Sequence, residues 1–540
     1  MLGIKFDNLR GDLFGGLTAG VVALPLALAF GEASGAGPIA GLYGAIIVGF
    51  FAALFGGTGS QISGPTGPMI VVFAGVFGAL SGNPGLVFAT VVLAGVIQVA
   101  FGIFKLGQYI KLVPYPVVSG FMTGIGCIII ALQASRLFGH EPEGSGTIPA
   151  LTAIPGAVLD PNWVALGLGL LTLIIVFTWP AKMAKIVPPP LAALVIGTLL
   201  STIIAGAPLL GDIPTGLPSF VIPEFRADTI VIVFEAAFVL ALLGSLDSLL
   251  TSLVADNMTR TKHNSNQELI GQGIGNVFAG FFGGIPGAGA TMRTVVNIRT
   301  GGLTKISGMI HSALLFAVVV SLGPLAAQIP HAVLAGILVK VGYDIVDLAY
   351  LKRAHKGPRW DLLLMVLVLT LTVFVDLITA VIAGVVLASL AFVKQMADLQ
   401  LESIKNLEEG IDQLVPSEEE EILKDVADSV TLFDFNGPLS FGAAADLGHH
   451  VRLKAKGSSA LVIDFLQVPF LDVSAARAVA TICQDATEAK KRIFISGMNS
   501  KVKQVLIALQ EDSVLPEMFY ENRKDALEAT RKFILAAQKN

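Results

Sequence analysis

The sequence predicts a polytopic α-helical membrane protein: fourteen transmembrane segments arranged as a 7+7 inverted repeat, followed by a small cytoplasmic α/β domain. Three observations carry that expectation. Of 540 residues, 54% are hydrophobic and 14% charged, against roughly 45–50% and 25% in an average soluble domain. Asp, Glu, Lys and Arg number 36 in residues 1–395 but 39 in residues 396–540, and the 72 residues from Ala33 to Phe104 carry no charge. Two apolar segments are also broken by glycine and proline at corresponding places along the chain.

A span needs about 20 mainly apolar residues, because the bilayer interior offers no water to the backbone. Such stretches fall near residues 12–31, 38–55, 66–80, 86–104, 115–135, 162–179 and 188–206. A second set falls near 230–254, 269–284, 290–298, 304–323, 330–343, 361–375 and 377–393. The polar start MLGIKFDNLRGD is unlike a secretory signal, so the first stretch reads as a retained helix. With the N-terminus inside, the inner loops collect Lys105 and Lys111, Lys182 and Lys185, Arg260 and Lys262, Arg299 and Lys305, then Lys352, Arg353, Lys356 and Arg359. That agrees with the positive-inside rule. The longer outer loops carry Glu141, Glu143 and Asp160 against Arg136, and Asp212, Glu224 and Asp228 against Arg226. The expected location is the cell inner membrane, with the lipid bilayer as partner and both termini cytoplasmic.

The third segment is interrupted by SGPTGP (Ser63 to Pro68) and the tenth by GGIPGAGAT (Gly283 to Thr291). Each is third in its set of seven, and an odd number of helices per repeat turns the second repeat over. Two broken helices then aim their N-termini at a site near the midplane. A helix N-terminus offers unpaired N–H groups and about half a positive charge, which suits an anion. The candidate donors are the backbones from Thr66 through Gly67 to Met69 and from Ala290 to Met292, with hydroxyls from Thr66 and Thr291. The alternative is that these residues only kink ordinary helices. Arg293, just past the second break, either joins the anion site or turns to the inner surface.

Asp247 lies in LLGSLDSLLTSL, twelve residues after Glu235 and thirteen before Arg260. At 1.5 Å per residue that is about 18 and 20 Å from each, near the middle of a helix. A carboxylate at that depth costs a few kcal/mol and needs a cation, a proton or a cavity. Thr251 shares its face at i+4, and Gly244 and Ser248 keep the surrounding surface small or polar. The set suits sodium or a proton; a hydrogen bond that only fastens two helices is the other reading. Glu32, Glu235, Lys340 and Asp376 fall near span ends, where snorkelling explains them.

The tail divides into a polar linker, residues 396–428, containing the run Glu418 to Glu421, and a domain over residues 429–540. Strand-like runs at 431–435, 460–465 and 492–495 alternate with helical stretches near 442–455, 474–489, 500–510 and 522–537. Cys127 and Cys483 are not expected to form a disulfide. The seven histidines, His449 and His450 among them, lack metal-ligand spacing and read as solvated side chains. Net charge is +2 before residue 396 and −7 after it, which argues against a nucleic-acid partner.

Four stretches together resemble the SulP anion permease family: GDLFGGLTAGVVALPLALAFG (Gly11 to Gly31), ISGPTGPM (Ile62 to Met69), TMRTVVNIRTGGLTKISG (Thr291 to Gly308) and LVIDFLQVPFLDVSAARA (Leu461 to Ala478). The resemblance covers essentially the whole chain, with the tail similar to a STAS domain, and within the family it points to BicA-type sodium-dependent bicarbonate transporters of cyanobacteria. It implies a homodimeric secondary transporter, not an enzyme, that imports bicarbonate coupled to sodium by alternating access. It further implies that Thr66, Ala290 and Thr291 bind the anion, and that Asp247, Thr251, Gly289 and Thr291 hold sodium as coupling ion. The alternatives are a proton-coupled transporter of sulfate or a dicarboxylate, or a membrane-anchored scaffold whose STAS domain binds a regulatory partner. Ser474 matches the phosphorylatable serine of regulatory STAS domains, although Val473 and Ala475 depart from their pattern; its other reading is a helix cap.

Overall fold

The computed structural model describes residues 6–80, 83–110, 114–141, 147–184, 187–211, 218–375, 377–405, 419, 422, 425–426, 429–441, 444, 451, 457–508 and 516–538. Most of the expected linker (396–428) and of the helical stretch near 442–455 lies outside them. So do Lys111, Glu143, Lys185, Asp212, Asp376, His449 and His450. The chain separates into two units, Met1–Val386 and Leu387–Asn540.

The first unit opens with α1 (Leu9–Ala33), α2 (Pro38–Phe55), the two-residue strand β1 (Ser63–Gly64), α3 (Gly67–Ala79), α4 (Pro84–Ile103), the one-turn α5 (Gly107–Ile110) and α6 (Tyr115–Leu137). Then come α7 (Thr147–Leu159), α8 (Trp163–Thr178), the one-turn α9 (Ala181–Ala184) and α10 (Pro189–Ile203). The later half has α11 (Ile230–Thr259), α12 (Ser265–Phe281), β2 (Ala288–Gly289), α13 (Thr291–Arg299), α14 (Lys305–Ala326), α15 (His331–Ile345), the one-turn α16 (Leu348–Leu351) and α17 (Arg359–Phe374). Last, α18 (Leu377–Lys405) runs across the boundary between the units.

Each of the fourteen expected stretches is occupied by a helix. Among the described residues six helices are long and apolar enough to cross a membrane unaided, or seven if α7 and α8, bent by 115°, count as one span. The half-helices fall well short of one. With 13 and 9 residues, α3 and α13 reach only about 20 and 14 Å, against a hydrocarbon core of about 30 Å. Where only an outer loop was expected, α7 forms, with Pro155 inside it; Pro149, Pro155 and Gly156 read as breakers in the sequence and hid it.

The helices sort into two bundles. One combines α1 to α4 with α11 to α14; the other combines α6, α8, α10, α15 and α17. Lipid gives helices little hydrophobic reason to associate, so close contact at small residues must do it. Where α4 crosses α12, a Cβ on Gly95 would lie 2.5 Å from the Gly273 carbonyl oxygen, and one on Gly273 would lie 2.5 Å from that of Gly95. At the start of α14 the wholly buried Asp12 accepts from the Leu303 and Thr304 amides, each at 2.9 Å, and from the Thr304 hydroxyl at 2.6 Å. Those amides precede a helix and have no partner within it.

In the second unit β3 (Val430–Asn436), β4 (Ala460–Gln467) and β5 (Arg492–Ser496) form a parallel sheet in the order 3-4-5. Helices Val473–Glu488, Ser500–Ala508 and Arg523–Ala537 accompany it. The strands are apolar on both faces because both are covered. Ile463 and Phe465 share a core with Val479 and Cys483, while Val462 and Phe494 share one with Leu527 and Ile534.

Among the described residues of this domain, Arg523 reaches Glu419 at 2.9 Å, Asp434 at 3.2 Å and the fully buried Asp464 at 3.6 Å. Burial first, and then the neighbouring Asp464, raise the Asp434 carboxyl above its ordinary value. A carboxyl raised in the folded state takes up a proton on folding, so its destabilising effect is largest at high pH and fades as pH falls through the raised value. Arg523→Met is expected to destabilise the domain by about 3 kcal/mol at neutral pH. The loss should shrink on acidification, read by thermal unfolding of the purified chain; a loss that does not shrink with pH would contradict the assigned cause.

Candidate substrate site

The two breaks meet. β1 and β2 pair antiparallel, Ser63 opposite Gly289 and Gly64 opposite Ala288, and the Ala290 amide donates to the Ile62 carbonyl at 2.8 Å. Antiparallel pairing sends α3 and α13 away from the crossing in opposite directions, as opposed repeats require. Their N-termini therefore converge. The first intrahelical bonds run from the Ile70 amide to Thr66 and from the Thr294 amide to Ala290. The amides of Gly67, Met69, Thr291, Met292 and Arg293 thus have no partner within their own helices.

Extended backbone at membrane depth must be bonded by protein, and here α11, α12 and α13 supply the side chains. Glu268, 1% exposed, accepts four N–H groups: the Gly57 and Thr58 amides, each at 2.9 Å, Gln61 Nε2 at 2.9 Å and Gln272 Nε2 at 2.8 Å. Gln272 Nε2 also reaches Ser63 Oγ at 2.6 Å. One turn on, Asn276 donates to the Gly287 carbonyl at 2.9 Å and accepts from the Gly287 amide at 2.8 Å, matching an amide to a peptide group. From α13, Asn297 donates to the Ser60 carbonyl at 2.8 Å, and Thr294 Oγ1 accepts from the Ile62 amide at 3.0 Å.

Ser248 and Thr251 of α11 grip Gly289 from both sides. The Gly289 amide donates to Ser248 Oγ at 3.0 Å, and the Thr251 hydroxyl donates to the Gly289 carbonyl at 3.0 Å. Thr291 Oγ1 lies 2.7 Å from Thr251 Oγ1; with the Thr251 proton committed to Gly289, Thr291 is the donor. A Cβ on Gly289 would lie 2.9 Å from the Ser248 Cα and 2.2 Å from Gln61 Nε2, so any larger residue there requires its neighbours to shift.

Asp247 is not turned away from the crossing. Thr66 stands at the N-cap of α3 without capping it, and its hydroxyl donates to Asp247 Oδ2 at 2.9 Å. Asp247 and Pro68 line a small cavity with Phe121 and Met122 of α6, so the carboxylate lies at the seam between the two bundles. A Cβ on Gly67 would lie 2.7 Å from Ile345 and 2.9 Å from Ile129, both from the second bundle. Thr291 and Met292 are exposed, so the α13 end of the crossing is open.

The structure thus gathers Thr66, Gly67, Asp247, Thr251, Gly289, Ala290 and Thr291 around one crossing. Arg293 is 3% exposed, and its Nη2 donates to the Pro65 carbonyl at 2.6 Å, fastening α13 to the segment that leads into α3. Ser474 belongs to the second unit and is exposed at the second position of its helix. The cap is Asp472, which accepts from the Ala475 amide at 2.8 Å and from the Phe441 amide at 2.8 Å; Ser474 is therefore not the helix cap. Nor are all histidines solvated, since His311 is 0% and His263 8% exposed.

Sequence reasoning missed Glu268, Gln272 and Asn276. Their i, i+4, i+8 spacing puts three polar groups on one face of α12. That signal was present, but an apolar stretch taken to begin at residue 269 excludes its strongest member.

The model of the sulfate permease family matches residues 9–368 and that of the STAS domain residues 421–526. Bicarbonate transporter BicA of Synechocystis is 45% identical over 534 residues, covering 97% of this chain and 94% of that protein. Bicarbonate transporter BicA of Picosynechococcus is 43% identical over 541 residues, covering 97% and 95%. The solved transmembrane domain of a cyanobacterium bicarbonate transporter BicA aligns with a TM-score of 0.67 at 51% identity, covering 70% of this chain and 98% of that one.

Replacing Glu268 by Gln puts an NH₂ group among four N–H donors. Each buried donor left without an acceptor costs about 1–3 kcal/mol, so Glu268→Gln should lower the thermal midpoint of the detergent-solubilised protein clearly. An unchanged midpoint would show that the carboxylate does not hold the crossing.

Proposed function

The chain belongs to the sulfate permease family, with a STAS domain following its membrane unit, and from that premise we propose that it imports bicarbonate together with sodium across the cell inner membrane. The observation that carries the reading is the hydrogen bond from Thr66, at the N-cap of α3, to Asp247 of α11. It couples an anion-attracting helix end to a carboxylate that attracts a cation.

Bicarbonate sits between the N-termini of α3 and α13, where the Gly67, Thr291 and Met292 amides and the helix dipoles face it. Alone, Asp247 would repel that anion. Sodium, a hard cation that takes oxygen ligands, is held by Asp247, Thr251, the Gly289 carbonyl and Thr291, and removes the repulsion. The donor set fits such an ion: Thr251, Thr291 and the Gly289 carbonyl already lie in one hydrogen-bonded chain. Arg293 adds positive potential behind the anion through its place beside Pro65. Rocking the first bundle against the second exposes the site to each side in turn. Relatives named for bicarbonate over nearly full length support this substrate.

Three outcomes test the reading. Uptake of labelled bicarbonate into vesicles at fixed pH should rise at least tenfold with an inward sodium gradient, about 1.4 kcal/mol of coupling; uptake indifferent to sodium rejects the coupling ion. Asp247→Asn should abolish sodium activation, while Thr66→Ala should weaken both bicarbonate affinity and sodium activation. Wild-type sodium activation in Asp247→Asn would remove the carboxylate from the mechanism.

A further inference from the structure

Glu32, near the end of α1, faces a residue of another helix. Its Oε1 lies 3.2 Å from Nδ1 of His331, the first residue of α15. Glu141, four residues beyond α6, places Oε1 3.8 Å from the same nitrogen. One ligand-capable atom from each of the three residues lies within 4.8 Å of the others.

The ring orientation is set from behind. His331 Nε2 is 3.1 Å from the Leu209 carbonyl oxygen, which can only accept, so Nε2 carries the proton. The segment bearing that carbonyl is itself pinned: the Leu210 amide donates to Ile329 at 2.9 Å and the His331 amide donates to Pro208 at 3.1 Å. In the neutral ring the Nδ1 lone pair then faces two carboxylates, an arrangement that is repulsive without a cation between them. A carbonyl partner on the far nitrogen is the usual device that orients a metal-binding imidazole.

The imidazole decides which cation fits, since calcium and magnesium prefer oxygen ligands alone. Ligands held at about 2.0–2.2 Å around a tetrahedral zinc ion stand about 3.4 Å from one another, and 3.2 and 3.8 Å bracket that spacing. Arg136, the other charge in the group, is 4.0 Å from Glu141 and offsets part of the negative charge of the pair. We propose that Glu32, Glu141 and His331 form a binding site for a divalent transition-metal ion of the zinc class, with water completing its shell. The ion bridges the two bundles, since α1 belongs to the first and α6 and α15 to the second.

The test is titration of Zn²⁺ alone into the metal-stripped, full-length protein in detergent, followed by calorimetry. It does not depend on which anion is carried. Wild type should bind one ion tightly per chain at pH 7.5, and more weakly at pH 6, where protons compete for Nδ1. His331→Ala and Glu141→Gln should each weaken binding at least tenfold; Glu141 has a side chain 65% exposed, so its variant folds even where the histidine variant does not. Tight binding that both variants retain, or no wild-type binding below millimolar Zn²⁺, overturns the site and leaves a plain imidazolium–carboxylate contact.

Discussion

The structure of the membrane unit depends on one constraint: peptide groups that leave a helix inside a bilayer must find partners in the protein. Around residues 57–65 and 284–290 two stretches of chain leave the helical state together. Their backbone groups are taken up by each other through β1 and β2, and by a stripe of polar side chains from α12. Glu268 is the centre of that arrangement, because one carboxylate there meets two amides and two side-chain amides. The two convergent helix ends and the glycine carbonyl between them keep their places only while these partners hold.

The same constraint explains why the candidate site residues lie in one bundle and face the other. Asp247, Thr66 and Thr291 project from elements locked together by hydrogen bonds and by the glycine contact of α4 with α12. Across the seam stand apolar side chains, Ile129 and Phe121 from α6 and Ile345 from α15. A polar, hydrogen-bonded face thus meets an apolar one. Among the described residues, the contact of Glu32 with His331 is a polar link between the bundles.

Most of the architecture was legible in the sequence, for identifiable reasons. The absence of charge over long stretches located the helices, and clustered glycine and proline located both breaks. Asp247 stood out because it is isolated in an apolar run. Other features were illegible because their meaning is spatial. Asp12 reads as an ordinary residue of a polar N-terminus, yet it serves amides 291 and 292 residues away. Glu32, Glu141 and His331 come from three separate elements and share no spacing. In the tail, Asp472 and Ser474 both suit a helix start, and only the backbone geometry assigns the cap to Asp472.

Glu268 also imposes an order on biosynthesis. The ribosome releases Gly57 and Thr58 some 210 residues before their carboxylate partner. During that interval the nascent early half carries a segment whose peptide groups have lost their helix and still lack their acceptors, in a solvent that supplies none. That segment must wait in the water-filled translocation machinery, at the headgroup level, or in temporary helical form until the later half is inserted. The early half thus depends on the later one for its acceptors, whereas the later break draws Asn276, Ser248 and Thr251 from its own half.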